Sequence, residues 1–564
     1  MNRIVYKYIS KIYHKIIEHW EMLMFLIIGF VIRLFLTRYQ VVVSYDEVNY
    51  LKLAVYGALH GITNVMHPYW SPFYPFIIAL FSKITANYEF IARLISVLCG
   101  SLVILPVYKL ARYRLTKKTS IITIAMIAVY PALSLLSTKI LTEPLYIFLG
   151  MSGILIVWYS LTKKSIGLSF CGGVIFGMTY LTRPEGIGFT IVVIIIYFIL
   201  LINSVFQRKK NKYIQLIIFS VLGFIIISSP YLLYLHQKTG EWTISAKQKS
   251  LQQAEADVFK HQKEDYQFRK LSADNKSLLI DQMFHLGNFI TAEEERGESV
   301  VQVTLFLMVQ KYIKNIHELI NMIVPTVIPL TLAVFLILGL FCYTVTKEKI
   351  LFDLYLLSFI IFFWCIVIPL FHINYRYFLP LLPICFIWIG KGVVVFYSWA
   401  KNFLNYLIVW KKKNFFIQVI SILLAVFLIS LSYLPDYVRI FSDNTAAANR
   451  WAKPVEYKRA GMWLKNNCKT APVIMSHYQI VSYYAGNYDI TESVSIPFNR
   501  INRILEYAQH RNVDYIVLSE RYVKLFPLIE NLFYMKNIPE QLKVVYHFES
   551  KAGLRVVIYK LMHD

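Results

Sequence analysis

Apolar runs of membrane-crossing length recur along most of this 564-residue chain, and short basic clusters punctuate them. A helix needs about 20 apolar residues to traverse the hydrocarbon of a bilayer, because each residue advances it by only about 1.5 Å. On that criterion about eleven transmembrane helices are expected, at roughly 20–38, 88–110, 119–136, 143–161, 165–182, 186–206, 213–235, 321–345, 350–371, 377–399 and 414–434. The run from Ser71 to Ser82 is apolar too, but it is short and holds Pro72 and Pro75, so it reads as a re-entrant or juxtamembrane helix on the outer face.

The basic clusters orient these spans. Lys7, Lys11 and Lys15, then Arg112, Arg114, Lys117 and Lys118, then Lys163 and Lys164, then Arg208, Lys209, Lys210 and Lys212, and Lys411 to Lys413 all fall on the cytoplasmic side if the N-terminus does. That is the positive-inside pattern. An odd number of spans then places the C-terminus outside the cytoplasm, and the expected location is the inner (plasma) membrane, crossed many times. Residues 1–434 form the expected membrane domain, with outer loops at 40–87 and 236–318, and residues 435–564 a small extracytoplasmic α/β domain. Within the long loop, Lys249–Lys270 and Asn275–Phe289 have a helical pattern. In the C-terminal domain Ala471–Met475, Tyr515–Leu518 and Val556–Tyr559 read as strands, and Ala460–Asn467 and Arg500–Arg511 as amphipathic helices.

Composition agrees with the periodicity. The chain is 57% hydrophobic and only 16% charged, against about 25% charged in soluble domains, and its mean hydropathy is +0.52. A net charge of +25 raises nucleic acid or anionic lipid as a partner. The clusters flank spans, and no zinc-finger spacing or RNA-binding aromatic motif is present, so membrane lipids are expected and nucleic acid is not. Five of the six cysteines lie in apolar runs and Cys468 stands apart, which offers no disulfide framework. No cleavage site follows the first apolar stretch, which reads as a retained helix.

Candidate chemistry gathers at the outer ends of the spans. Asp46 and Glu47 follow the first span in Ser44-Tyr45-Asp46-Glu47. A carboxylate there can deprotonate a hydroxyl, while a helix start equally explains an acidic residue as a cap; two carboxylates exceed what a cap needs. Glu143 in Leu141-Thr142-Glu143-Pro144 lines a cavity or occupies a first helical turn favoured by the helix dipole. Arg183 and Glu185 share a five-residue turn, as a local ion pair or as phosphate and cavity groups. His372, Tyr375 and Arg376 precede Pro380 and Pro383; an arginine fork at this interface matches a phosphate, and a snorkelling arginine between tyrosines is the plainer reading. His67 in His67-Pro68-Tyr69-Trp70 is a candidate for phosphate or metal. No Walker loop, HExxH or GxSxG is present, and Gly172, Gly173 and Gly177 read as close helix packing. Nucleotide energy is therefore not indicated, and a donor already activated as a phosphate ester would make it unnecessary.

The Asp-Glu pair after the first helix, the His-Pro stretch of the re-entrant segment, Leu-Thr-Glu-Pro, Thr-Arg-Pro-Glu-Gly and Tyr-Arg-Tyr before two prolines occur in an order that resembles the GT-C superfamily of membrane glycosyltransferases. The closer resemblance is to bacterial protein-mannosyltransferase-like and ArnT-like (4-amino-4-deoxy-arabinose lipid A transferase) proteins, over roughly residues 20–435. It implies a polyprenyl-phosphate-linked sugar donor, an inverting transfer, and a lipid, glycan or protein acceptor. By position Asp46 matches the general base of that family, with Glu47 beside it, and Glu143 a second acidic position. His67, Arg183, Glu185, Tyr375 and Arg376 become candidates for donor phosphate and substrate. The chain departs from the pattern in having His-Pro-Tyr where mannosyltransferases have His-Pro-Pro. It has no MIR-like module, and no Trp-Trp-Asp motif of an oligosaccharyltransferase. A divalent metal ion is left open, with no ligand set assigned. The competing readings are a transporter or flippase, and a surface-polysaccharide polymerase or ligase using lipid-linked sugars. A transporter would place its ionisable groups near the midplane.

Overall fold

The computed structural model describes residues 19–85, 87–208, 212–246, 305–342, 346–370, 373–407, 413–442, 454–489, 493–496, 500–550 and 553–562. The expected helices around Lys249–Lys270 and Asn275–Phe289, and His372, lie outside the described residues. Among the described residues, eight helices are long and apolar enough to cross a membrane: Trp20–Thr37, Tyr88–Arg114, Glu143–Lys163, Pro184–Phe206, Tyr213–Thr239, Lys347–Leu370, Tyr375–Leu407 and Phe415–Phe441. The chain is a multi-pass helical membrane protein.

The other three expected spans are broken or short, for local reasons. Val309–Val327 and Leu330–Phe341 form one pair bent by 95°. Pro329 sits at the break and pushes Ile328 out of the helical region, to φ −127° and ψ 84°, as a residue before proline must be. The span expected at 119–136 is split into Lys117–Val129 and Pro131–Leu136. Pro131 has no N–H to give to the Ile127 carbonyl. Buried Arg33 fills the gap, donating to the carbonyls of Ala128 at 2.9 Å and Ile127 at 3.3 Å. The third, Ile166–Thr182, is apolar but only 17 residues long. Phe73–Phe81 spans 9 residues, too few to cross, as its sequence implies.

Contacts group the chain into two units. One holds Arg93–Ser228 and Lys311–Arg439 with the first helix. Its helices approach closely at glycines. A Cβ on Gly173 would collide with the Ser220 backbone, and one on Gly339 or Gly392 with the backbones of Trp388 or Phe335. Small residues let membrane helices pack backbone to backbone in this way. Buried Arg114 pairs with Asp353 at 2.6 Å, and Trp388 donates to the other carboxylate oxygen at 2.9 Å.

The other unit combines Tyr39–Ala92 and Ile440–Asp564 with the segment from Ser229. Its C-terminal part is a five-stranded sheet of β1 (Ile474–Ser476), β2 (Ser493–Val494), β3 (Tyr515–Ser519), β4 (Leu542–Glu549) and β5 (Arg555–Leu561) in the order β2-β1-β3-β5-β4. β1 runs parallel to both β2 and β3; β5 is antiparallel to β3 and β4. Val455–Asn467 and Ile501–His510 are its longer helices, and Met475, Ile504, Ile516, Leu518, Val557 and Tyr559 belong to its core. Two strands were not foreseen. β2 is only two residues long, and β4 carries a register shift between Val544 and Tyr546 that breaks the alternation a strand search relies on.

Candidate functional site

The first group of candidate residues lies at the ends of three helical segments in one unit. Glu143 opens the helix Glu143–Lys163, with Pro144 in its first turn. Arg183 follows the Ile166–Thr182 helix in extended backbone, just before the short Pro184–Gly186 turn. Arg376 sits in the single turn Tyr375–Tyr377, whose start is held by Asn374 Oδ1 accepting from the Arg376 amide at 3.1 Å. Three separate stretches of sequence thus deliver one cluster. Glu143, only 1% exposed, lies 2.9 Å from Arg183 and 3.3 Å from Arg376. Arg183 also reaches Glu185 at 3.6 Å and donates to Thr142 Oγ1 at 3.3 Å. The two guanidiniums flank Tyr377, at 5.2 and 5.7 Å from its ring centre.

A carboxylate this deeply buried is tolerated because two cations face it. Glu143 therefore acts first on its neighbours: it holds two arginines side by side that would otherwise repel. The Arg183 side chain is 13% exposed and that of Arg376 27%, so neither is fully enclosed. Glu185, at 40%, is the solvent-facing counter-charge. Tyr375 stands exposed beside the cluster. A planar fork of N–H donors is suited to an oxyanion with several oxygens.

The second group is in the other unit. Tyr45–His60 is a helix that begins with a capping box: the Ser44 amide donates to Glu47 Oε2 at 2.6 Å, and Ser44 caps in return. Glu47 is thereby the buried capping acid of the pair. Asp46 occupies the same first turn with its side chain half-buried. His67 is buried, and its Nδ1 accepts from the amides of Tyr69 at 3.0 Å and Trp70 at 3.2 Å. The Tyr231 hydroxyl donates to its carbonyl at 2.9 Å. Burial pushes the imidazole down to about 3, so His67 is a neutral fixture of the turn before Phe73–Phe81.

Contacts that sequence reasoning missed anchor the Asp46 segment. Lys458 Nζ donates to the Val41 carbonyl at 3.0 Å and the Val43 amide to the Tyr484 hydroxyl at 3.2 Å. Buried Lys52 donates to Ser482 Oγ at 3.0 Å and to the Asp489 carbonyl at 2.7 Å. The ring of Tyr45 meets that of Tyr478 at 4.7 Å. One signal was available: Lys52 interrupts an otherwise apolar run, and a buried ammonium needs acceptors. Which acceptors it finds, more than 400 positions away, no local pattern states. Among the described residues no three of His, Cys, Asp and Glu gather as a metal-binding group.

Comparison with known proteins concerns this same frame. Residues 66–234 match the family model of dolichyl-phosphate-mannose-protein mannosyltransferase. Among solved structures, ArnT from Cupriavidus metallidurans bound to undecaprenyl phosphate is similar with a TM-score of 0.53 at 12% identity, over 96% of this chain and 98% of that one. The archaeal oligosaccharyltransferase AglB from Archaeoglobus fulgidus, in complex with an inhibitory peptide and a dolichol-phosphate, is similar with a TM-score of 0.55 at 14% identity, over 96% of this chain and 74% of that one. No curated protein matches the sequence. The likeness is one of fold, shared with both structures over most of this chain.

Proposed function

We propose that this chain, built on the GT-C fold, is a membrane glycosyltransferase that moves a sugar from a polyprenyl-phosphate donor to an acceptor hydroxyl, with inversion. The observation that carries the reading is the pair Arg183 and Arg376 held on buried Glu143. Charged groups at the ends of apolar helices are expensive and mark sites that handle charged ligands. A polyprenyl phosphate is such a ligand, and solved proteins of this fold bind dolichol-phosphate or undecaprenyl phosphate.

In this reading the acceptor hydroxyl attacks the anomeric carbon, the bond from that carbon to the phosphate oxygen breaks, and its electron pair leaves with the polyprenyl phosphate. The proton passes to Asp46, which shares the first helical turn with the capping Glu47. The departing phosphate needs no proton, but its charge needs donors, and the forks of Arg183 and Arg376 supply them. Glu143 positions the two arginines. Tyr375 and Glu185 flank that phosphate seat, while His67 holds the turn before Phe73–Phe81 in the other unit. The N-terminus is cytoplasmic and residues 435–564 lie outside, as the basic clusters direct; protease added to intact spheroplasts should remove that domain, and protection until lysis would refute the orientation.

The test of function is purified full-length protein incubated with a panel of polyprenyl-phosphate sugars and candidate lipid, glycan and peptide acceptors, with products read by mass spectrometry. Transfer that depends on Asp46 and Arg376 supports the reading. Substrate movement across proteoliposomes that persists in Asp46→Asn, with no transfer product from the wild type, would return the chain to the transporter class.

A further inference from the structure

The C-terminal domain carries a strip of aromatic rings that the reaction above does not use. Tyr45 meets Tyr478 at 4.7 Å, Tyr478 meets Tyr522 at 5.2 Å, and His477 packs on both, at 4.2 and 4.5 Å. All four rings are partly exposed. The strip begins at the residue next to Asp46 in the chain.

Its place in the fold follows from topology. β1, β2 and β3 are parallel, so their carboxyl ends share one edge. The chain leaves β1 for β2 on one side and then passes to β3 on the other, which makes β1 the switch point of the sheet. In open α/β sheets, ligands settle outside the carboxyl ends of the strands at such a point. His477 and Tyr478 directly follow β1, and Tyr522 stands three residues after β3.

The charge on this edge selects the ligand. Arg521, also just past β3, is consumed by Glu456: the pair is buried, with contacts of 2.6 and 3.2 Å, and Ser519 completes it at 3.3 Å. Burial pushes His477 down to about 4, so it is uncharged at neutral pH. Burial, and then the nearby Asp46 carboxylate, push the Tyr478 phenol up, so it keeps its proton and can donate. The strip therefore offers ring faces and neutral hydroxyl and imidazole groups, and the arginine at this edge, Arg521, is already paired with Glu456. A pyranose fits it. The axial C–H bonds of a sugar carry partial positive charge and pack on the electron-rich face of tyrosine, while its hydroxyls exchange hydrogen bonds with phenols.

We propose that Tyr45, His477, Tyr478 and Tyr522 form a binding shelf for a pyranose ring of the acceptor, at the carboxyl edge of β1 and β3 beside Asp46. This rests on the glycosyltransferase reading and names its acceptor as a carbohydrate-bearing molecule. The shelf presents the acceptor's hydroxyl to the base, so the C-terminal domain belongs to the acceptor site and is more than a cover.

The probes are methyl α-mannopyranoside, methyl β-glucopyranoside and methyl β-galactopyranoside, observed by saturation-transfer NMR with the detergent-solubilised full chain. Wild type and Asp46→Asn should both saturate the ring protons of at least one probe. Tyr478→Ala and Tyr522→Ala should weaken that binding by about tenfold, the loss of one aromatic contact, while Tyr478→Phe retains most of it and controls for folding. Equal signals in wild type and Tyr478→Ala, or no signal from any probe in the wild type, overturn the shelf. In Asp46→Asn, which cannot turn donor over, an undecaprenyl-phosphate-linked sugar added in excess should leave the bound glycoside in place; displacement would make this the donor's sugar seat and overturn the acceptor assignment. The glycosyltransferase reading fails separately, if the wild type transfers nothing from the donor panel while the glycosides still bind.

Discussion

The two groups of candidate residues solve opposite electrostatic problems. Around Glu143, three charged groups converge within 3.3 Å on a carboxylate that is only 1% exposed, and the buried one is tolerable because of the other two. Around Asp46 and the carboxyl edge of the sheet, His477 is uncharged, Glu47 is tied to a backbone amide and Arg521 to Glu456. The first environment suits a ligand that brings its own negative charge. The second suits a neutral polyol, with Asp46 as the proposed base. The contrast teaches that a buried ion cluster and a buried polar turn, both written in the sequence as isolated charged or histidine residues, differ in what they can bind.

The comparison breaks most sharply at Asp46. Asp46→Asn keeps shape and removes basicity, so transfer should fall by at least about 10²-fold with donor binding retained; a single-turnover assay that shows near-normal rates would remove Asp46 as the base. Next in size, Glu143→Ala leaves Arg183 and Arg376 facing each other. Breaking a buried pair costs about 3–5 kcal/mol, and the lower end, about 3 kcal/mol, applies because Arg376 keeps some water; thermal unfolding in detergent should show it as a lowered Tm. An unchanged Tm would mean that the cluster does not depend on its carboxylate. Arg376→Lys retains charge and loses the fork, so KM for the lipid donor should rise about tenfold while the fold is kept.

The smallest effect is the pH dependence of the neutral histidines. Their folded values, about 3 for His67 and about 4 for His477, lie below the ordinary 6.5. The unfolded chain therefore binds more protons below pH 6.5, and the stability these side chains allow is present above that value and lost as pH falls toward 4 and then 3. His67→Asn keeps an acceptor for the Tyr69 and Trp70 amides without a titrating ring, so its Tm should fall less steeply between pH 6.5 and 4 than that of the wild type. Parallel slopes would show that protonation of His67 is not what weakens the turn.

Much of this protein is legible from residue order alone, and the boundary has a physical cause. Hydropathy is a local property: a run of about 20 apolar residues must be satisfied by lipid or by other helices wherever it sits. Eight of the eleven expected spans and the short Phe73–Phe81 helix follow from it among the described residues, and local patterning gives three of the five strands. The glycine contacts are local as well, since small residues at helical spacing have few other uses in a membrane helix. Prolines carry the breaks in principle, but whether Pro131 kinks or splits a span depends on what satisfies the orphaned carbonyls, and Arg33 answers that from another helix. At the candidate site the sequence names acids and bases and leaves each with two readings. Glu47 as the capping acid, Glu143 as the partner of two arginines and His67 as an acceptor for backbone amides are set by distances of about 3 Å between residues up to 233 positions apart. The shelf of Tyr478, Tyr522 and His477 is invisible before folding, because only the parallel pairing of β1 with β3 and the docking of Tyr45 bring those rings together. Residue type decides what a side chain is able to do; the tertiary structure alone decides which charges, amides and rings it meets, and so which of those things it does.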